Sequence, residues 1–135
     1  MNAPVRGIDR LVARFDRLSI PRMGAALGKA LFATADAVAV DAAVSITAGS
    51  VSGKFHVPSS PGQPPNADTH MLDRGIIAEL PSPLRATVTA TAPYSSALEY
   101  GTSRMEERPY MRPAAAKNKD TLRDNIAAVV REANR

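Results

Sequence analysis

The sequence predicts an α+β fold, a small antiparallel sheet packed against N-terminal and C-terminal helices with a long proline-rich loop between them. Three observations carry this. Apolar residues recur at helical spacing near both ends of the 135-residue chain. Residues 86–91 alternate Ala, Val and Ala with Thr, as a strand with one buried face does. The 11 prolines and 8 glycines crowd mainly between residues 49 and 113, which breaks the middle of the chain into short pieces and long excursions. The length suits a single domain over 1–135.

Ile8, Leu11, Val12, Phe15 and Leu18 share one side of a first helix, with Asp9, Arg10, Arg14 and Arg17 on the other. Ser19 is placed to cap a second helix with Pro21 in its first turn. Leu27, Ala30, Leu31, Thr34, Val38 and Ala42 form its stripe, and it should end near Thr47, before Gly49. Gly24 and Gly28 on this helix read as packing residues.

From Gly49 to His70 there is no usable period and four prolines, so this is a loop long enough to be a binding arm or strap. Leu72 to Leu80 and Leu84 to Ala92 then read as two strands. Their link, Pro81-Ser82-Pro83, is too short for a crossover and makes them an antiparallel hairpin. Two strands alone are marginal, so a helix or a further strand must cover them. Tyr94 to Tyr100 gives one or two helical turns ending at Gly101, a candidate left-handed cap. A last helix starts at Pro113 and presents Leu122, Ile126, Val129, Val130 and Ala133 on one face.

Apolar residues make up 44% of the chain but aromatics only 4%, so the core is thin and partners are expected to supply part of the burial. No cysteine is present, which excludes disulfides, a thiolate nucleophile and Cys-based zinc sites. The start, MNAPVRGIDRLVARF, has no apolar signal-peptide core, and no run reads as long enough to span a bilayer, so a soluble protein without membrane contact is expected. The net charge of +4 is unevenly spread: residues 1–29 hold six Arg/Lys against two Asp/Glu, residues 30–103 three against six, and residues 104–135 eight against five. Basic ends and an acidic middle can pair between subunits, or set one end beside nucleic acid.

Catalytic patterns are weak. His56 and His70 both lie in the long loop, and His70 with Asp68 and Asp73 falls short of a metal-site spacing. Ser59, Ser60, Ser95 and Ser96 have no nucleophile-elbow context. Glu79 and Glu99 show no sign of convergence, and Pro61-Gly62-Gln63-Pro64-Pro65 lacks the amide donors of a phosphate loop. No cofactor, metal site or enzymatic activity is therefore expected. Arg10, Arg14 and Arg17 keep a small basic DNA-binding protein in view as an alternative. A hydrolase built on His70 and a loop serine is the weakest reading.

Two stretches resemble a known family. HVPSSPGQPPNADTHMLDRGI, from His56 to Ile76, is similar to a Ser-Lys-Pro-Gly-x-Pro-Pro strap leading to a Thr-Gly-x-Leu-x-x-Ser-Ile strand. APYSSALEYGTSRMEERPYMRPA, from Ala92 to Ala114, is similar to Pro-Tyr-Ala-x-x-x-Glu-x-Gly-Thr followed by Arg-Pro-Phe-x-x-Pro-Ala. The two patterns they resemble are those of the siphovirus head–tail joining or tail-completion proteins, related to the minor tail protein Z group. The matching positions are Pro61, Gly62, Pro64, Pro65, Thr69, Leu72 and Ile76, then Tyr94, Glu99, Gly101, Thr102, Pro109, Tyr110 and Pro113. Departures are Ser60 for the usual lysine, His70 for glycine, Met71 at a variable place and Gly75 for serine.

The resemblance implies a bacteriophage virion protein of the neck, made in the host cytoplasm. Its subunits would form a homo-oligomeric ring, six-fold to match the tail, between the head connector or stopper protein and the tail tube protein, with passing DNA inside. Tail terminator, stopper-adjacent and tail-completion positions all remain open. Phe55, His56, Pro58, Pro61, Gly62, Pro64 and Pro65 are the expected strap contacts to a neighbouring subunit or partner, and deleting residues 54–66 is expected to leave a folded monomer that no longer assembles. Glu99 and Thr102 are expected to bond the backbone exposed beside Gly101.

Overall fold

A computed structural model describes residues 8–17 and 20–135. Helix α1 spans Ile8–Arg17 and α2 spans Ile20–Thr47; the cap expected at Ser19 lies outside the described residues. A single 3-10 turn at Gly53–Phe55 interrupts the long loop. Helix α3 (Met71–Arg74), strands β1 (Ile76–Ser82) and β2 (Arg85–Ala90), helix α4 (Ser95–Tyr100) and helix α5 (Met111–Ala133) follow. The class is α+β, as the sequence predicts.

Helix α2 is the centre of the molecule because α5 and both strands pack on it. Helix α5 runs antiparallel to α2: Asn118 Nδ2 donates to Asp41 Oδ2 at 2.7 Å near one end, and Asn125 Nδ2 donates to Thr34 Oγ1 at 3.4 Å further along. Small residues make this approach possible, and Ala30, Ala35, Ala39 and Ala42 are all buried. The buried core gathers Ala42, Ile46, Ala67, Leu72, Ala92, Tyr110 and Ala114, with Val38, Ile76, Ala90, Leu98 and Met111 packed around it. Of these only Tyr110 is aromatic, and it is 1% exposed.

The hairpin pairs Ile76 with Ala90, Ile77 with Thr89, Ala78 with Val88 and Glu79 with Thr87; the register then slips before Ser82 meets Arg85. The slip spans Pro81, which has no N–H to offer the ladder. Helix α2 is the cover that two lone strands need. The hairpin tip reaches α2 at Gly28, where a Cβ would come within 2.6 Å of the Pro83 carbonyl oxygen, so Gly28 is a packing residue, whereas Gly24 has open space.

Several expectations are corrected. Leu72 lies in α3 rather than in the first strand, which begins at Ile76. The chain turns at His70, whose φ of 62° and ψ of 15° are left-handed, and the position that is glycine in the resembled pattern is thus one where glycine is easiest. Gly75 is needed for space: a Cβ there would meet Thr91 Oγ1 at 2.7 Å and the Met71 carbonyl oxygen at 2.8 Å. Helix α5 begins at Met111, so Pro113 is its third residue and not its first. Gly101 has φ 74° but ψ 177°, an extended glycine conformation and not a helical left-handed cap. Finally, Arg22–Thr47 has the length and mean hydropathy of 1.5 that a bilayer-crossing helix requires, contrary to the reading that no run does. In the fold this helix is the central core element, and its buried Thr34 and half-buried Asp41 bond to α5.

Candidate assembly surface

The second family-like stretch folds into one electrostatic knot. Glu99, on α4, is only 4% exposed and aims its carboxylate at the start of α5. Oε2 accepts from the Tyr110 and Met111 amides at 2.9 and 3.0 Å; Oε1 accepts from the Arg112 amide at 2.9 Å and from Arg112 Nε at 3.0 Å. A helix N-terminus leaves its first N–H groups without intrahelical partners. Here three are taken by one carboxylate, and the next residue, Pro113, has no N–H to satisfy. Glu99 and Pro113 are therefore parts of one device, though 14 positions apart in sequence.

Arg112 extends the knot. Its Nη2 donates to the Glu99 carbonyl at 2.6 Å and to Glu107 Oε2 at 2.8 Å, and its guanidinium lies 5.0 Å from the Tyr100 ring centroid. Burial by itself raises the Glu99 pKa, but the three backbone donors and Arg112 outweigh it and hold the carboxyl below its ordinary value. Tyr110 is pushed up to about 12, chiefly by burial and also by the Glu99 charge; its hydroxyl donates to the Ser95 carbonyl at a long 3.4 Å. The sequence reading, which has Glu99 bonding the backbone beside Gly101, is corrected: its carboxylate serves the start of α5. Thr102 does act locally: its Oγ1 accepts from the Arg104 amide at 3.2 Å, and it bridges to Met105.

The strap divides into a fixed base and an exposed tip. At the base Pro65 is buried, Ala67 N donates to the Ile46 carbonyl at 3.0 Å, and Gly53 N donates to Asp68 Oδ1 at 2.7 Å. Asn66 fills the space that a Cβ on Gly49 would need and donates to the Val57 carbonyl at 2.9 Å. The tip holds Phe55, 74% exposed, together with exposed Val57, Pro58 and Pro61. It is tethered where Gly62 N donates to the Glu107 carbonyl at 3.0 Å. Of the expected contact residues, Phe55, Pro58, Pro61 and Gly62 are exposed, His56 and Pro64 are half-buried, and Pro65 belongs to the fold. The expected 54–66 deletion would therefore remove core structure as well as the tip.

Beside the base lies a cavity of about 300 Å³, bordered by His56, Ser59, Asp73, Tyr94 and Arg108 among others. Ser59 Oγ, Asp73 Oδ1 and Arg108 Nε are buried there without a protein partner, the sort of polar lining that holds ordered water. At its edge His70 Nδ1 donates to Asp73 Oδ2 at 3.2 Å and Ser50 Oγ stands 3.5 Å from Nε2. This serine–imidazole–carboxylate order was not legible in the loop, because Ser50 and His70 are 20 positions apart. His70 and Asp73 border the cavity and Ser50 does not. Among the described residues no group of three or more His, Asp or Glu side chains is placed to hold a metal ion.

The outward surfaces are unusual for so small a protein. Every described side chain of α1 from Ile8 to Asp16 is exposed. Asp9, Arg10 and Arg14 border a groove shared with Asn134 and Arg135 at the end of α5, while Ile8, Leu11, Val12 and Phe15 on the opposite side are 50–65% exposed. Helix α2 also keeps an apolar outer face in which Phe32, Val40 and Val44 are exposed. Arg10 and Arg14 have no ion-pair partner among the described residues and gather with Arg135 into a basic cluster; Arg17 is the last residue of α1. No family model, curated protein or solved structure matches this chain.

Proposed function

We propose that this chain is a structural protein of a phage neck, a ring subunit that joins the head connector to the tail and catalyses no reaction. The observation that carries the proposal is α1. An isolated helix of 10 residues is marginal in water, and a strongly amphipathic one is normally held by burying its apolar stripe. Here the stripe is left uncovered by the rest of the chain, and a surface on another molecule would supply the burial that holds α1. The exposed strap tip and the outer face of α2 add further apolar area of the kind that assembly covers.

The family-like residues fit this reading in a particular way. Leu72, Glu99 and Tyr110 are buried, and Gly101 sits where only glycine is comfortable, so the resembled motifs specify the scaffold and leave the contact surface to other positions. The contact surfaces named by the reading are α1, the outer face of α2 and the strap tip. The subunits would associate through unlike patches, head to tail, and close by rotation.

Light scattering and negative-stain imaging of the purified protein, alone and with its neighbouring head and tail proteins, test the reading. Rings, or monomers that become rings when tail tube is added, support it. A protein that stays monomeric in every mixture overturns it. The cluster of Arg10, Arg14 and Arg135 favours one alternative, non-specific contact with DNA. Replacing Arg10, Arg14 and Arg17 with glutamine separates the two, since a DNA binder loses salt-dependent affinity and a ring subunit loses assembly.

A further inference from the structure

We infer that the strap tip is a lid over the cavity beside its base, latched when closed by an ion pair between Asp73 and Arg108 with the Ser59 hydroxyl between them. The inference concerns a single chain and stands apart from the ring reading.

The cavity of about 300 Å³ lies among three segments, and each supplies one buried polar atom without a protein partner. Ser59 Oγ comes from the strap, Asp73 Oδ1 from α3 and Arg108 Nε from the loop before α5. The Asp73 side chain is only 10% exposed, and its other oxygen, Oδ2, accepts from His70 Nδ1 at 3.2 Å. That bond fixes the carboxylate and leaves Oδ1 as the free acceptor. Arg108 has no ion-pair partner among the described residues. A buried polar group left unpaired costs free energy, and an unpaired charge costs more. The three groups are complementary, since a carboxylate only accepts, a guanidinium only donates and a hydroxyl does both. Bringing them together satisfies all three and needs no foreign ligand.

The parts that would move are free to do so. Gly53 and Gly62 bound the tip with φ of 76° and 81°, and a Cβ on either would meet nothing within 4 Å. Left-handed glycines in open space change their dihedrals at little steric cost, as hinges must. Between them Phe55 and Val57 are largely exposed, so burial does not hold the tip where it is. The tip is bonded outward where Asn66 Nδ2 donates to the Val57 carbonyl at 2.9 Å and Gly62 N donates to the Glu107 carbonyl at 3.0 Å. The second bond joins one end of the lid to the residue beside Arg108. The scaffold behind both charges is fixed: Leu72, next to Asp73, is buried in the core, and Arg108 N donates to the Leu98 carbonyl at 2.6 Å. Closure therefore takes a swing of the lid and of the long Arg108 side chain, with α3 and α4 still.

The test uses the full chain. It has no cysteine, so Ser59→Cys places a single thiol on the lid, and the rate at which a thiol reagent labels it reports how often the lid is open. Asp73→Asn and Arg108→Gln, both near-isosteric, are then added singly and together, with circular dichroism to check that each variant is folded. Labelling should be about fivefold faster in either variant and no faster in the double, because each change breaks the same pair. Rates within about twofold of the Ser59→Cys parent, or single effects that multiply in the double variant, overturn the latch. A second measurement needs no substitution. In the wild-type protein a latched pair brings Arg108 Hε within nuclear Overhauser reach of the Asp73 β-protons; the absence of that contact overturns the latch, and its presence supports it.

Discussion

Glu99→Ala should be strongly destabilising for a polar truncation, and its size follows from the four bonds that the carboxylate accepts. The Tyr110 amide is buried, and without Glu99 it is left unpaired at a cost of about 1–3 kcal/mol. The Met111 and Arg112 amides are nearer solvent and recover water, so their loss resembles that of a helix N-cap, about 1 kcal/mol. The Arg112 guanidinium is half exposed and adds little. The sum is about 3 kcal/mol, which for a domain of this size lowers Tm by roughly 10 °C. Glu99→Gln keeps one acceptor oxygen but turns an NH₂ toward amide donors, and should fall between alanine and wild type. Urea denaturation followed by circular dichroism measures both, with an unchanged m-value expected. A Glu99→Ala protein within about 0.5 kcal/mol of wild type would refute the capping role. The same site predicts acid sensitivity. The folded carboxyl lies below its ordinary value, so the unfolded chain binds the proton more readily. Stability from Glu99 is then complete above about pH 4.3 and is lost as pH falls through the folded value. Glu99→Gln should flatten that acid limb, although Asp41, lowered chiefly by the Asn118 hydrogen bond, retains part of it.

Three further outcomes are expected. Tyr110→Phe should cost under about 1 kcal/mol because the hydroxyl bond is long, while Tyr110→Ala should cost about 3–5 kcal/mol as a cavity in the core; thermal melts separate them. In alkali the neutral phenol is favoured by the fold up to about 12, so the stability it contributes is present below about pH 10 and lost as pH rises toward that value. Gly101→Ala should cost about 2 kcal/mol or more, since its Cβ would stand 2.9 Å from the Met105 oxygen and the Glu107 nitrogen, whereas Gly62→Ala, with φ 81° but open space, should cost only about 1 kcal/mol; paired denaturant curves compare them. Deleting residues 54–62 should change stability by less than about 1 kcal/mol and weaken assembly, and extending the cut to 66 should also destabilise the monomer, because Pro65 and Asn66 hold the base.

The local elements were legible because each has a short-range cause. The periodicity of Leu27, Ala30, Leu31, Thr34 and Val38 gives α2, the Ala/Val and Thr alternation gives β2, and the prolines keep residues 49–70 out of regular structure. The fold class followed from their order. The start of β1 was misplaced because apolar Leu72 fits a strand as well as a one-turn helix, and only the left-handed turn at His70 decides between them.

What the tertiary structure alone decided is which polar groups meet and which apolar faces stay uncovered. Glu99 reads in sequence as one more carboxylate near a turn; its role appears only when α4 lies beside the first turn of α5 and three amides converge on it. Ser50, His70 and Asp73 likewise meet through folding of the loop. The amphipathic pattern of α1 is plain from spacing, but spacing cannot say toward which molecule the stripe turns. A periodic sequence determines a helix and its two faces; the choice of which face meets the body belongs to packing, because that free energy depends on the neighbouring surface and not on the helix itself.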